Sequence, residues 1–158
     1  MLKKHAGIMY WKSMLSKVLL DTNIIVDIFD DKRKSSEATI GVIKKMLEEG
    51  TTLYVNSDTL TTTFYLLRSQ RKMTFTEAIN AIKETSVFCE LISIEKNDVL
   101  KTISLCETED TLFKDYEDTL QYVCAKKVDA ELILTNDKGF VSLDIEVSGT
   151  QGFNISTL

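Results

Sequence analysis

Proline is absent from the 158 residues, and histidine occurs once, as His5. A lone histidine near the chain start all but rules out Ser-His-Asp and Cys-His nucleophile systems and multi-histidine zinc sites. Chemistry must therefore come from carboxylates, hydroxyls, lysines or arginines. With no proline, no internal repeat and no low-complexity tract, nothing reads as a linker, and the length fits one domain with its own core. Cysteine is sparse as well: Cys89, Cys106 and Cys124 are odd in number, far apart and lack a CxxC pair. They read as small core hydrophobes in a reducing compartment, so the expected location is cytoplasmic. No apolar run approaches the roughly 18–20 residues of a membrane helix. Ile8-Met9-Tyr10-Trp11, followed at once by Lys12, is too short for a signal peptide core.

What is present is ordinary for a soluble globular protein, with 44% hydrophobic and 27% charged residues. The net charge of −5 argues against a dedicated duplex-binding domain. It suits an enzyme whose carboxylates gather a divalent metal that in turn faces a phosphate.

Residues 1–16 place lysines around isolated apolar residues without a period and read as a loosely held leader; Met14 is a second candidate start. Residues 17–158 form the expected single domain. A strand is expected over 17–21 and a helix over 23–29. A second helix, over 36–49, carries Ile40, Ile43, Met46 and Leu47 on one face, with Ser35 or Ser36 as cap and Gly50 as stop. Next come a strand over 51–55, a helix from Asn56-Ser57 to near Gln70, and a helix whose Ala78, Ile79 and Ile82 share a face. A strand over 87–94 has Leu91, Ile92 and Ile94 as its expected core. Helices opening at Asn97-Asp98 and running over about 115–127 precede strands over 130–134 and 145–147. Short apolar strands alternating with helices indicate an α/β fold, a mostly parallel sheet covered on both faces.

The strand Val18-Leu19-Leu20 ends on Asp21, and Asp137 lies three residues beyond Leu134. Asp118 lies in the first turn of a helix with apolar residues on two sides, which turns it inward. In an open α/β sheet, ligands collect at the carboxyl ends of strands. Carboxylates converging there raise one another's pKa unless a cation is present. Mg2+ or Mn2+ would resolve that repulsion, lower the pKa of water and offset charge growing on a phosphodiester. If water attacks in line and the 3′-oxygen leaves, the products carry a 5′-phosphate and a 3′-hydroxyl. Each piece alone has a simpler reading. Asp21 makes a good helix N-cap, Asp115, Glu117 and Asp118 answer a helix dipole, and Asp137-Lys138-Gly139 suits a turn. Their joint placement at strand ends is what points to a site.

Four stretches also resemble the PIN-domain ribonucleases, particularly VapC-like toxins of toxin–antitoxin pairs. They are Leu19-Leu20-Asp21-Thr22-Asn23 with Asp27, Ser57 to Arg68, Asp115 to Gln121, and Leu134 to Phe140, in family order across roughly residues 17–153. The resemblance implies a Rossmann-like three-layer α/β/α sandwich and Mg2+- or Mn2+-dependent cleavage of single-stranded RNA. It carries three family acids to Asp21, Asp118 and Asp137 as catalytic metal ligands. Asn23 and Thr135 match neighbours of the first and last acid, and Asp115 and Glu117 match an acidic run that stands behind the ligands. It further implies a small antitoxin partner and a homodimer. One departure is clear: many members carry a glutamate where this chain has Thr62, so metal should bind more weakly unless Asp115 or Glu117 compensates.

Of the basic clusters, Arg68, Arg71 and Lys72 are the candidates to hold RNA or an antitoxin carboxylate, while Lys32-Arg33-Lys34 reads first as a solvated loop. Tyr54, Tyr65 and Tyr122 could stack on bases, although buried tyrosines with a bonded hydroxyl are commoner. Trp11 in the leader is a candidate partner contact. The alternative reading, motivated by Thr62, is a catalytically silent PIN-fold module that binds RNA or protein. A phospho-acceptor receiver domain would need an acidic pair on the first strand, which this chain lacks.

Overall fold

The structure, a computed structural model, describes residues 15–153. Most of the expected leader, with Trp11 and Met14, lies outside the described residues. In chain order the elements are β1 (Lys17–Leu20), α1 (Thr22–Phe29), α2 (Ser36–Glu48), β2 (Thr52–Asn56), α3 (Ser57–Ser69) and α4 (Phe75–Phe88). They continue with β3 (Cys89–Ile92), α5 (Lys96–Glu107), α6 (Tyr116–Lys127), β4 (Leu132–Leu134) and β5 (Glu146–Ser148). The five strands make one sheet in the order β3-β2-β1-β4-β5, and every pairing is parallel.

Helices cover both faces because side chains alternate along the strands. Val18 and Leu20 point into one core with Ile24 and Ile25 of α1 and Val42, Ile43 and Met46 of α2. Leu19 points the other way, into a second core with Ile133, Leu120, Val123 and Cys124. A third cluster, Val26, Leu67, Ala78 and Ala81, ties α1 to α3 and α4. The result is a three-layer α/β/α sandwich. No described helix is long and apolar enough to cross a membrane.

Local chemistry sets the helix ends. Asn56 caps α3 by accepting from the Thr59 amide at 2.8 Å. At the end of α2, Gly50 takes φ 82°. Its amide bonds the Leu47 carbonyl at 3.1 Å, while the Thr51 amide bonds that of Met46 at 2.9 Å. That pair of bonds is the Schellman stop, which glycine makes without strain.

Several expected details differ. Ser35 stands at the N-cap of α2 but its side chain makes no capping bond. Leu91 is exposed, and Cys89 and Ile92 are the buried residues of β3. β3 is an edge strand and is covered incompletely, so Leu91 is exposed although it shares a face with Cys89, and Val87 and Phe88 close α4 instead of opening the strand. On α2 and α4 the buried stripe is narrower than expected. Ile40, Leu47 and Ile79 are exposed, and the buried residues of α4 are Ala78, Ala81 and Thr85.

Candidate active site

The strand order reverses between β1 and β4: β2 and β3 extend to one side of β1, β4 and β5 to the other. At such a switch point the loops leaving adjacent strands part and leave a crevice. Leu20 pairs with Leu134 in register, and the Asp21 amide continues the ladder to the Leu134 carbonyl at 3.0 Å. Asp21 and Thr135 therefore emerge side by side at the carboxyl edge.

Asp21 is only 4% exposed, yet both its oxygens are fully engaged. Oδ1 accepts from the Thr22 amide at 2.6 Å and from Gln121 Nε2 at 2.8 Å. Oδ2 accepts from Thr135 Oγ1 at 2.6 Å and from Asn23 Nδ2. It is thus the N-cap of α1, as its simplest reading held, and much more besides. Four donors fill the roughly four lone-pair positions of a carboxylate, so a cation bound directly to Asp21 would displace one of them. Burial nevertheless raises its pKa above the ordinary value; the bonds from Thr135, Gln121 and Thr22 oppose the shift, and Asp137 adds to it.

Asp118 is half-buried in the first turn of α6, where Asp115 caps the helix by accepting the Asp118 amide at 3.0 Å. Its carboxyl is pushed up to about 7, first by burial and then by the charges of Asp21, Asp115, Asp137 and Glu117. Glu117 accepts from Thr22 Oγ1 at 3.1 Å, so the acidic run is fastened to the start of α1. Asp137 is exposed on the loop after β4, and its Oδ1 accepts from the Gly139 amide at 2.7 Å. A Cβ on Gly139 would lie 3.2 Å from that oxygen, so the small residue lets the loop close on the carboxylate.

Thr135 Oγ1 joins these pieces, since besides donating to Asp21 it accepts from Asn23 Nδ2 and from the Asp137 amide, both at 3.0 Å. Thr62, half-buried on α3, makes no hydrogen bond to these groups. Arg68 Nη1 donates to the Met73 carbonyl at 2.6 Å, and Arg71 pairs with the nearly buried Asp30 at 2.6 Å. Arg71 and Lys72 line a cleft with Phe29 and Asp30, not with the acids. Of the two basic clusters it is Arg33 and Lys34 that share a cleft with Asp137. Tyr122 is buried with its hydroxyl on Asp144 at 2.7 Å.

Three residues that the sequence places in the matching stretches without a role hold the site together. Gln121 holds Asp21 from α6. Asn136 donates through Nδ2 to the fully buried Asp27 at 2.8 Å, and its amide bonds Asn23 Oδ1 at 3.0 Å. Asp27 also accepts from Thr39 Oγ1 at 3.1 Å and pairs with Arg33. A buried aspartate in an apolar helix, and polar residues three and one positions from suspected acids, were the available signals.

Among the described residues no three acids, cysteines or histidines form a ready-made metal cage. The donor set still fits a hard divalent cation, because Mg2+ keeps several waters and takes only one or two carboxylates with a substrate phosphate. The mutual repulsion that lifts Asp118 is what such a cation would relieve.

A family model described as "PIN domain" matches residues 17–139. Ribonuclease VapC1 of Aquifex aeolicus (strain VF5) is 44% identical over 137 residues, covering 87% of this chain and 92% of the relative. Among solved structures, VapC20 of Mycobacterium tuberculosis, a Sarcin-Ricin loop cleaving toxin, superposes with TM-score 0.64 at 13% identity, covering 78% of this chain and 92% of that one. VapBC2 from Rickettsia felis, bound to a DNA fragment from their promoter, gives TM-score 0.62 at 17% identity, covering 84% and 98%.

Proposed function

The chain belongs to the PIN-domain family, and from that premise we propose that it is a metal-dependent endoribonuclease, the toxin of a toxin–antitoxin pair, cutting single-stranded RNA. The observation that carries the reading is the tie of Asp21 to Asp137 through Thr135 at the switch point, with Asp118 carried on the same helix as Gln121, which bonds Asp21. The named ribonuclease relative supports the activity. Asp21, Asp118 and Asp137 would hold Mg2+ or Mn2+, which supplies a lowered water pKa and charge compensation at the phosphate.

The chain's own contribution is orientation. Four donors fix the plane of Asp21, and Asp115 and Glu117 fasten the turn that carries Asp118. Asp118 lines the small cleft beside Gly139, and its carboxylate is the one of this set that would face an attacking water there. In-line attack at phosphorus breaks the bond to the 3′-oxygen, leaving a 5′-phosphate and a 3′-hydroxyl. The protein would act in the cytoplasm as a homodimer held in check by a small antitoxin. Thr62 favours a second reading, a PIN-fold module that binds RNA or protein without cutting.

Purified protein with Mn2+ is expected to cut single-stranded RNA, and Asp21→Asn to abolish cutting. RNA binding without cutting by either protein would support the silent module. Equal cutting by both would remove the acids from the chemistry.

A further inference from the structure

The loop after β4 contributes Gly139 to a small cleft beside Asp118, and Asp137 and Lys138 to a larger cleft of about 830 Å³. We propose that the larger cleft is a phosphodiester subsite, holding the RNA backbone next to the phosphate being cut; this rests on the ribonuclease reading above.

Arg33, Lys34 and Lys138 line this cleft with Asp137, and with Arg33 paired to Asp27 the two lysines still outnumber the one carboxylate. In a chain of net charge −5 that local excess is opposite to the average. Arg33 is not a loose surface cation. Its Nε is held by Asp27, which is 0% exposed and also accepts from Thr39 and Asn136. Asn136 bonds Asn23 through its amide, and Asn23 bonds Asp21. A continuous chain of hydrogen bonds therefore sets the guanidinium relative to the first acid. Only Nε of Arg33 has a protein partner among the described residues, which leaves the Nη donors for a ligand. A fixed guanidinium fork matches phosphate geometry, and lysines add point charges. Lys34 and Lys138 are exposed and make no ion pair among the described residues.

The volume lies within the range of small-ligand clefts, enough for a phosphate with its sugar. Because Asp137 belongs to both the acid group and this cleft, a strand with its reacting phosphate at the acids has a neighbouring phosphate here. An acidic protein segment is the less favoured occupant, since nothing would draw its carboxylates on toward the remaining acids.

The test measures binding of a short fluorescein-labelled single-stranded RNA by the full chain in the Asp21→Asn background, across a salt series. Lys34→Ala and Lys138→Ala, both exposed sites that leave Asp27 paired, are each expected to weaken binding about three- to tenfold. Each should also make the slope of log Kd against log salt shallower by about 0.7, the value for one single-strand phosphate contact. Lys83→Ala, exposed on α4 and outside this cleft, should change neither. Arg33→Lys, which keeps the charge and loses the fork, should weaken binding without changing the slope. Unchanged affinity and slope in both lysine variants, with wild-type protein still cutting RNA, would overturn the subsite and leave the ribonuclease reading standing. Wild-type protein that neither cuts nor binds RNA would overturn both. Loss of affinity for a polyglutamate peptide with RNA binding unchanged would assign the cleft to an acidic protein segment and overturn the proposal.

Discussion

Thr135→Val isolates the hydroxyl on which the site converges. Valine keeps the shape of a side chain that is 2% exposed and deletes one atom, Oγ1. That atom donates to Asp21 Oδ2 at 2.6 Å and accepts from Asn23 and the Asp137 amide at 3.0 Å each. A hydrogen bond to a charged group contributes about 1.5–3 kcal/mol, and Asp21 keeps three other donors, so the lower end applies. The Asp137 amide belongs to an exposed residue and can turn to water, adding roughly 0.5 kcal/mol. The sum is about 2 kcal/mol, a fall of about 4–8 °C in Tm for a chain of this size. Activity should fall further than stability, about 10–100-fold, the usual effect of removing a partner that orients a metal-binding carboxylate. Thermal unfolding and the Mn2+-dependent cleavage rate read the two effects, and Thr135→Ser should restore most of both. A valine variant melting within about 1 °C of wild type, at half its rate or better, would refute the reasoning.

Other consequences follow from the same geometry. Asp118 titrates at about 7 in the fold against 3.8 ordinarily, so between those values the native state holds a proton the unfolded chain has lost. Stability of the metal-free protein is therefore expected to fall as pH rises through that window, and Asp118→Asn to flatten the decline; urea midpoints across the window check this, and parallel declines would contradict it. Gln121→Leu deletes a bond to Asp21 but also the buried Oε1, which has no hydrogen-bond partner. Stability should change by less than about 1 kcal/mol while cleavage drops, and a large loss of stability without loss of rate would contradict the orienting role. Thr62→Glu restores a fourth carboxylate on α3 and is expected to tighten Mn2+ binding several-fold by calorimetry; unchanged affinity would place residue 62 outside the metal's reach.

The signals that could be read from the chain are local ones. The apolar run into Asp21, the helix start at Asn56-Ser57 and the stop at Gly50 each need only a few neighbouring residues, and the structure keeps all of them. Alternation of strands and helices was enough for the parallel sheet. What could not be read depends on distant partners. Gln121 reaches Asp21 across 100 positions and Asn136 reaches Asp27 across 109, and neither residue type announces such a bond. The basic loop at Arg33 looks solvated until Asp27, buried in α1, is seen to hold it. Leu91 was assigned to the core on hydrophobicity alone, which cannot reveal that β3 is an edge.

The central claim is that these acids, with a divalent cation, direct water at a phosphodiester. It is tested most directly by the ends of the cut RNA. Wild-type protein with Mn2+ should yield 5′-phosphate and 3′-hydroxyl termini, and none in EDTA or with Asp118→Asn. Products ending in a 2′,3′-cyclic phosphate, formed equally in EDTA, would contradict it.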